Sequence, residues 1–210
     1  MEKIMKVLLV NGSPNERGCT YTALCEVAKT LKEDGVDSEI FWIGIKPLSG
    51  CLGCGGCRKT GKCVFNDSVC EFTEKAKDAD GFVFGSPVHY AAASGALTSF
   101  MDRVFFSSSR QFYMKPAAAV VSARRAGTTA ALDQIHKYFY LAQMPIVPSK
   151  YWNMVHGSTS EQVLEDAEGM QNMRYLARNM AFLLKCLEAG KVANVPLPQQ
   201  ETRVSTNFIR

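Results

Sequence analysis

Residues 4–10 (IMKVLLV) form an almost continuous apolar, β-rich run that stops at Asn11-Gly12-Ser13-Pro14. Runs of this kind suit a strand buried on both faces, so the pattern predicts a central parallel strand. From Thr20 the period becomes helical, with Leu24, Val27, Ala28 and Leu31 on one face and Gly35 placed as the stop. Strand, Gly-containing loop and helix together make the opening of a βαβ unit. Residues 38–43 alternate and then turn apolar, predicting a second strand; 81–85 predict a third, 117–122 a fourth, and 145–152 a short fifth interrupted by Pro148. Helical patterns run from Asp67, a suitable cap, through Lys77, and over about 94–106, 128–141 and 160–189, with Gly190 as the last stop.

Five strands alternating with five helices imply a parallel sheet covered on both faces. No linker divides them, so residues 1–190 read as one α/β domain. A Gly- and Cys-rich loop, 44–66, is inserted after the second strand; it is longer than a crossover needs, and such loops are usually functional. The last twenty residues, 191–210, are rich in Pro, Gln and Thr and read as an extended arm.

Composition narrows the function classes. The chain has 210 residues, 47% hydrophobic and 21% charged, enough for a full core and without repeats or low-complexity tracts. Its 24 Lys and Arg against 20 Asp and Glu give a net charge of +4, scattered along the chain. That argues against dedicated nucleic-acid binding and suits an anionic small ligand. The apolar run Val7 to Val10 is too short for a signal peptide or a membrane span, so a cytoplasmic protein with no membrane association is expected.

Three loops leave the carboxyl ends of predicted strands, the edge where open α/β sheets bind ligands. The first, Asn11 to Thr22, offers hydroxyls and free N–H groups at a helix N-terminus, which is what a phosphate requires. It is neither G-x-G-x-x-G nor G-x4-G-K-[ST], which disfavours a Rossmann dinucleotide site and a nucleoside-triphosphate loop. An ordinary turn capped by Thr20 or Thr22 is the plainer alternative. The second loop is Ser86-Pro87-Val88-His89-Tyr90 and the third Ser122-Ala123-Arg124-Arg125-Ala126-Gly127. In the second, His89 can donate a proton or serve as a wall, and Tyr90 can stack or pack. Either arginine can instead be a solvated loop residue.

Eight cysteines without an export signal belong to a reducing compartment, where clustered thiols are more often metal ligands or redox groups than disulfides. Cys51-x2-Cys54-x2-Cys57-x5-Cys63 sits in the Gly-rich loop, whose glycines let the backbone wrap a central body. Iron–sulfur clusters take four thiolates, often at two-residue spacings. Zinc accepts four cysteines too, usually as two more widely separated pairs, and thiols without metal are a third reading. Cys25 and Cys186 fall in helical patterns and are expected to pack as small apolar residues, while Cys70 is either a helix residue or a fifth thiol beside the cluster. Leu52 and Val64 are the loop's expected apolar anchors.

The segments GSPNERGCT and SPVHYAAASGALTSFMDR and the ending TNFIR resemble the flavodoxin-like, NAD(P)H-dependent FMN reductase family over nearly the whole chain. The resemblance implies a doubly wound five-stranded sheet of order 2-1-3-4-5, with FMN across the carboxyl edge of strands one, three and four. It assigns Ser13, Asn15, Gly18, Cys19, Thr20, Tyr21 and Thr22 to the FMN phosphate, with Asn15 and Cys19 where the family commonly carries a basic residue or Asn. Ser86, Pro87, Val88, His89 and Tyr90 would line the isoalloxazine. Ser122, Ala123, Arg124, Arg125 and Gly127 would lie near its pyrimidine edge, where backbone N–H groups or the arginines can stabilise negative charge on reduced flavin.

The cysteine spacing also resembles the iron–sulfur flavoproteins, a branch of that family in which Cys51, Cys54, Cys57 and Cys63 would hold a 4Fe-4S cluster; some relatives with similar cysteines are cluster-free. The expected function is FMN-dependent redox chemistry, with electrons from NAD(P)H or a redox protein and the cluster as relay. The alternatives are a cluster-free NAD(P)H-dependent reductase of flavins, quinones, azo or nitro compounds, and a non-enzymatic flavodoxin-type carrier, which the positive charge disfavours. A homodimer or homotetramer is expected, shielding the flavin, with Phe105, Phe106, Phe112, Tyr113, Tyr138, Phe139 and Tyr140 as candidate surface or core aromatics.

Overall fold

The computed structural model describes residues 4–202 and 204–206, so Asn207 to Arg210 of the C-terminal ending lie outside the described residues. The chain runs β1 (Lys6–Asn11), α1 (Cys19–Glu33), β2 (Asp37–Trp42), α2 (Gly56–Thr60), α3 (Ser68–Lys75), β3 (Gly81–His89), β4 (Ala92–Ala93), α4 (Gly95–Ser108), β5 (Ala117–Ala123), α5 (Thr128–Leu141), β6 (Met154–His156), α6 (Ser160–Glu165) and α7 (Ala167–Val192). The long strands are parallel in the order β2-β1-β3-β5-β6, and two-residue β4 pairs antiparallel with β3. The expected order and class hold, with that hairpin strand added.

Alternation along β1 divides the core. Leu8 and Val10 face a layer of α3, α4 and α5 with Phe72, Phe100 and Phe139, whereas Val7 and Leu9 face α1 and α7 with Leu24, Leu31, Met173 and Met180. All of these side chains are fully buried, each contributing about 1.5–3 kcal/mol of transfer free energy. The first layer is knit by ring contacts such as Phe82–Phe112 and Phe72–Phe100, with centroids 5.0 and 5.2 Å apart. Helix α1 ends as expected: Gly35 takes φ +79 and Val36 N–H reaches back to Leu31 O.

Three expectations need correction. The fifth strand is Met154–His156 rather than 145–152, where one isolated bridge, Ala117 to Ile146, marks the approach. Pro148 has no N–H to give, and the chain turns out and returns where Asn153 O accepts from Val121 N. The last helical stretch is two helices, because Asp166 leaves helical geometry (ψ 80) and its carboxylate caps Gly169 N at 2.9 Å. Gly190 does not stop α7, which continues to Val192 and is closed by Asn194 in a left-handed conformation (φ 58). The third is β3, which extends to His89, so Ser86 to His89 are strand rather than loop.

Candidate functional site

The β1–α1 loop is held by its own polar groups. Fully buried Asn11 accepts from Ser13 N and donates to Glu16 O, Ser13 Oγ accepts from Asn15 N, and Trp42 Nε1 donates to Ser13 O at 2.8 Å. Helix α1 starts at Gly18 with no capping side chain, which leaves its first-turn N–H groups facing the loop. The capping alternative for Thr20 and Thr22 therefore fails: both lie inside the helix. Thr20, 1% exposed, shares a hydrogen bond with Ser122, and Thr22 donates to Gly18 O.

The three loops meet at one edge. Gly12 N donates to Gly85 O at 2.9 Å, and Ser94, the N-cap of α4, donates its hydroxyl to Gly12 O while its N–H reaches Ser86 Oγ. A side chain at Gly12 would lie 2.8 Å from Leu97 Cβ, so close approach requires glycine there. Gly127, at φ +90, brings the β5–α5 loop onto the β3–β4 turn, where an added Cβ would be 2.7 Å from Ala91 Cα. Arg124, Arg125, His89 and Tyr90 are exposed around this edge, Tyr90 completely.

Tyr90 and Ala91 have φ values of 51 and 59 and form a two-residue turn of the I′ kind between paired Val88–Ala93 and His89–Ala92. That turn normally takes Asn and Gly, so two ordinary side chains hold it under strain beside the candidate flavin edge. Sequence reasoning missed His156, whose Nε2 pairs with Arg125 O at 3.1 Å and whose N–H donates to Asp166. It fastens the third loop to the start of α7; a lone His after a short strand carries no local signal of this.

The cysteine loop forms a second centre. Cys51, Cys54, Cys57 and Cys63 line one pocket with Arg103, Phe106 and Ser107 of α4. Cys51 and Cys54 are exposed and Cys57 and Cys63 half-buried; among the described residues no group of three or more His, Cys, Asp or Glu side chains is drawn together closely enough to hold a metal ion. The donor set is what a soft thiophilic centre takes. Cys70 instead donates to Phe65 O and Cys63 O, bracing the loop. Cys25 is half-buried, but Cys186 is exposed on α7 rather than packed.

Leu52 and Val64 are 65% and 58% exposed and do not anchor the loop. Arg103 does. Fully buried on α4, it forks onto Asp67 at 2.7 and 2.8 Å, donates from Nε to Cys63 Sγ at 3.2 Å, and lies over the Phe65 ring. Burial alone would lower its pKa, but the hydrogen bonds to Asp67 and Cys63 outweigh that and hold the guanidinium more firmly protonated than usual. Asp67 also caps α3 by accepting from Val69 N, so loop and helix share one support.

Of the candidate surface aromatics, Phe112 and Phe139 are core, Phe105 and Tyr138 pack against it, and Phe106 and Tyr140 are 68% and 69% exposed. Burial and the 2.6 Å hydrogen bond to Asp102 hold the Tyr138 hydroxyl protonated.

The family model described as NADPH-dependent FMN reductase matches residues 5–159. An iron–sulfur flavoprotein of Methanocaldococcus jannaschii is 30% identical over 192 residues, covering 88% of this chain and 100% of that one. Among solved structures, RosB with bound 8-demethyl-8-formylriboflavin-5'-phosphate aligns with a TM-score of 0.68 at 15% identity, over 98% of this chain and 94% of that one. A flavodoxin from the domain Archaea aligns at 0.59 and 15% identity, over 86% and 99%.

Proposed function

The chain belongs to the NADPH-dependent FMN reductase family, and from that premise we propose that this FMN-dependent oxidoreductase is an iron–sulfur flavoprotein drawing electrons from a nicotinamide or a redox protein. The observation that carries the second half is the single pocket shared by Cys51, Cys54, Cys57 and Cys63. The similarity to a curated iron–sulfur flavoprotein over 88% of the chain supports it. Bound FMN supplies two-electron and one-electron chemistry at one centre, and a 4Fe-4S cluster supplies one-electron steps.

The protein's own part is to bind and orient. The uncapped N-terminus of α1, with Ser13, Asn15, Gly18, Cys19, Thr20, Tyr21 and Thr22 around it, suits a phosphate. Ser86 to Tyr90 form a strand-and-turn wall for the ring, and Ser122, Ala123, Arg124, Arg125 and Gly127 present N–H groups and cationic side chains to its pyrimidine edge. Helix α4 joins the two centres: Gly95 stands at the flavin edge and Arg103 at the thiol pocket, eight residues on, or about 12 Å along the axis.

Residues 1–190 are taken as the working domain, with 191–210 as an arm. Exposed Phe106 and Tyr140 suit burial in a homodimer or homotetramer, and eight free cysteines suit a reducing cytoplasmic compartment. No helix among the described residues is long and apolar enough to cross a membrane.

Cys54→Ser, purified without oxygen, tests the reading. Loss of iron with FMN retained supports it, because the flavin loops lie on other segments. A full complement of iron in the variant removes Cys54 as a ligand, and a wild-type chain with FMN but no iron moves the reading to a cluster-free NAD(P)H-dependent reductase.

A further inference from the structure

We propose that Arg103 is the positioning residue of the thiol pocket: from α4 it clamps both ends of the cysteine loop and presents an N–H donor to the Cys63 sulfur. The inference rests on the iron–sulfur reading above and extends it to a residue outside the cysteine motif.

The contacts of Arg103 bracket the four cysteines. Nη1 reaches Ser49 O at 3.5 Å, two residues before Cys51, while Nε reaches Cys63 Sγ and the fork closes on Asp67, four residues after it. The guanidinium is 4.7 Å from the Phe65 ring centroid. In a loop with exposed Leu52 and Val64 and no side-chain cap on its short helix α2, this buried cation adds contacts at both ends to the bracing that Cys70 supplies.

The residue type is specific. A fork onto a carboxylate uses both terminal nitrogens and leaves Nε–H free to aim elsewhere; a lysine ammonium offers neither the planar fork nor a fixed third donor. The Asp67 carboxylate already balances the arginine charge, so Nε–H to sulfur is an added interaction rather than a consequence of pairing. A donor aimed at a ligating sulfur stabilises negative charge there. It would therefore raise the reduction potential of a cluster held by that sulfur.

The experiment compares wild type, Arg103→Lys, Arg103→Gln and the double variant Arg103→Gln/Asp67→Asn, which leaves no orphaned carboxylate and so protects the fold. Each is reconstituted without oxygen with ferrous iron and sulfide, with FMN per chain as the check on folding. Iron release to a ferrous chelator and the cluster midpoint potential, followed by electron paramagnetic resonance, are the readouts. Loss of one charge-assisted hydrogen bond to a ligand should speed iron release about tenfold in the double variant. Its midpoint should fall below that of the wild type, and Arg103→Lys should not restore both properties. A double variant matching the wild type in both release rate and potential overturns the inference while leaving the iron–sulfur reading intact. A wild-type chain that takes up no iron overturns both.

Discussion

Thr20 on α1 and Ser122 at the end of β5 share a 2.9 Å hydroxyl–hydroxyl hydrogen bond, buried, that ties the first loop of the candidate flavin site to the third. The methyl of Thr20 meanwhile packs so closely on β3 that a Cβ at Gly85 would lie 2.8 Å from it. Thr20→Val keeps that methyl and replaces the hydroxyl with a second methyl of similar size, leaving the Ser122 hydroxyl without this partner. The expected result is FMN affinity weakened about fivefold, the equivalent of about 1 kcal/mol. Titration of the apoprotein by flavin fluorescence checks it, and unchanged affinity would show that the tie has no part in preparing the site.

The Tyr90-Ala91 turn should trade stability for function. Replacing the pair with Asn-Gly supplies residues that favour the observed left-handed conformations, relieving about 1 kcal/mol or more at each position. The thermal midpoint should rise by at least about 4 °C. FMN affinity should fall severalfold, because the exposed Tyr90 ring is lost from the wall. A lower midpoint would show that the turn is not strained, and full affinity would remove Tyr90 from the site.

Burial pushes the His136 imidazole below its ordinary pKa, against a smaller opposite pull from Asp133, and its Nε2 is buried without a partner. Such a group binds fewer protons folded than unfolded, so its share of stability is complete above about pH 6.5 and is lost as pH falls below that. Glu39, held low by Lys6 and then Lys75, acts with the same sign but only in the carboxylate range. Between pH 7 and 5 the thermal midpoint should therefore decline, and His136→Leu should flatten the decline. Parallel curves for the two proteins would assign the acid sensitivity elsewhere.

Much of the fold was legible because β1, β3 and β5 are buried on both faces and carry unbroken apolar runs, while α1 and α5 show a clean helical period with clear ends. What escaped was non-local or too short. Two alanines form β4 only because β3 runs on to His89, and β6 is three residues whose pairing is decided by β5. Asp166 breaks a helical pattern through a cap that also serves His156, ten residues back. The three loops of the candidate flavin site and all four pocket cysteines were visible as local clusters, whereas Arg103 lies 40 residues from Cys63 and reads, on its helix, as one more surface cation.

Cofactor content bears most directly on the central claim, since one pocket holding four cysteines is the feature that separates this chain from a plain FMN reductase. Purified without oxygen, the protein should carry about one FMN per chain, and iron and acid-labile sulfide in equal amounts approaching four each, the composition of a cubane on four thiolates. Stoichiometric FMN with no iron and no sulfide, in protein never exposed to air and unresponsive to reconstitution, would contradict the account.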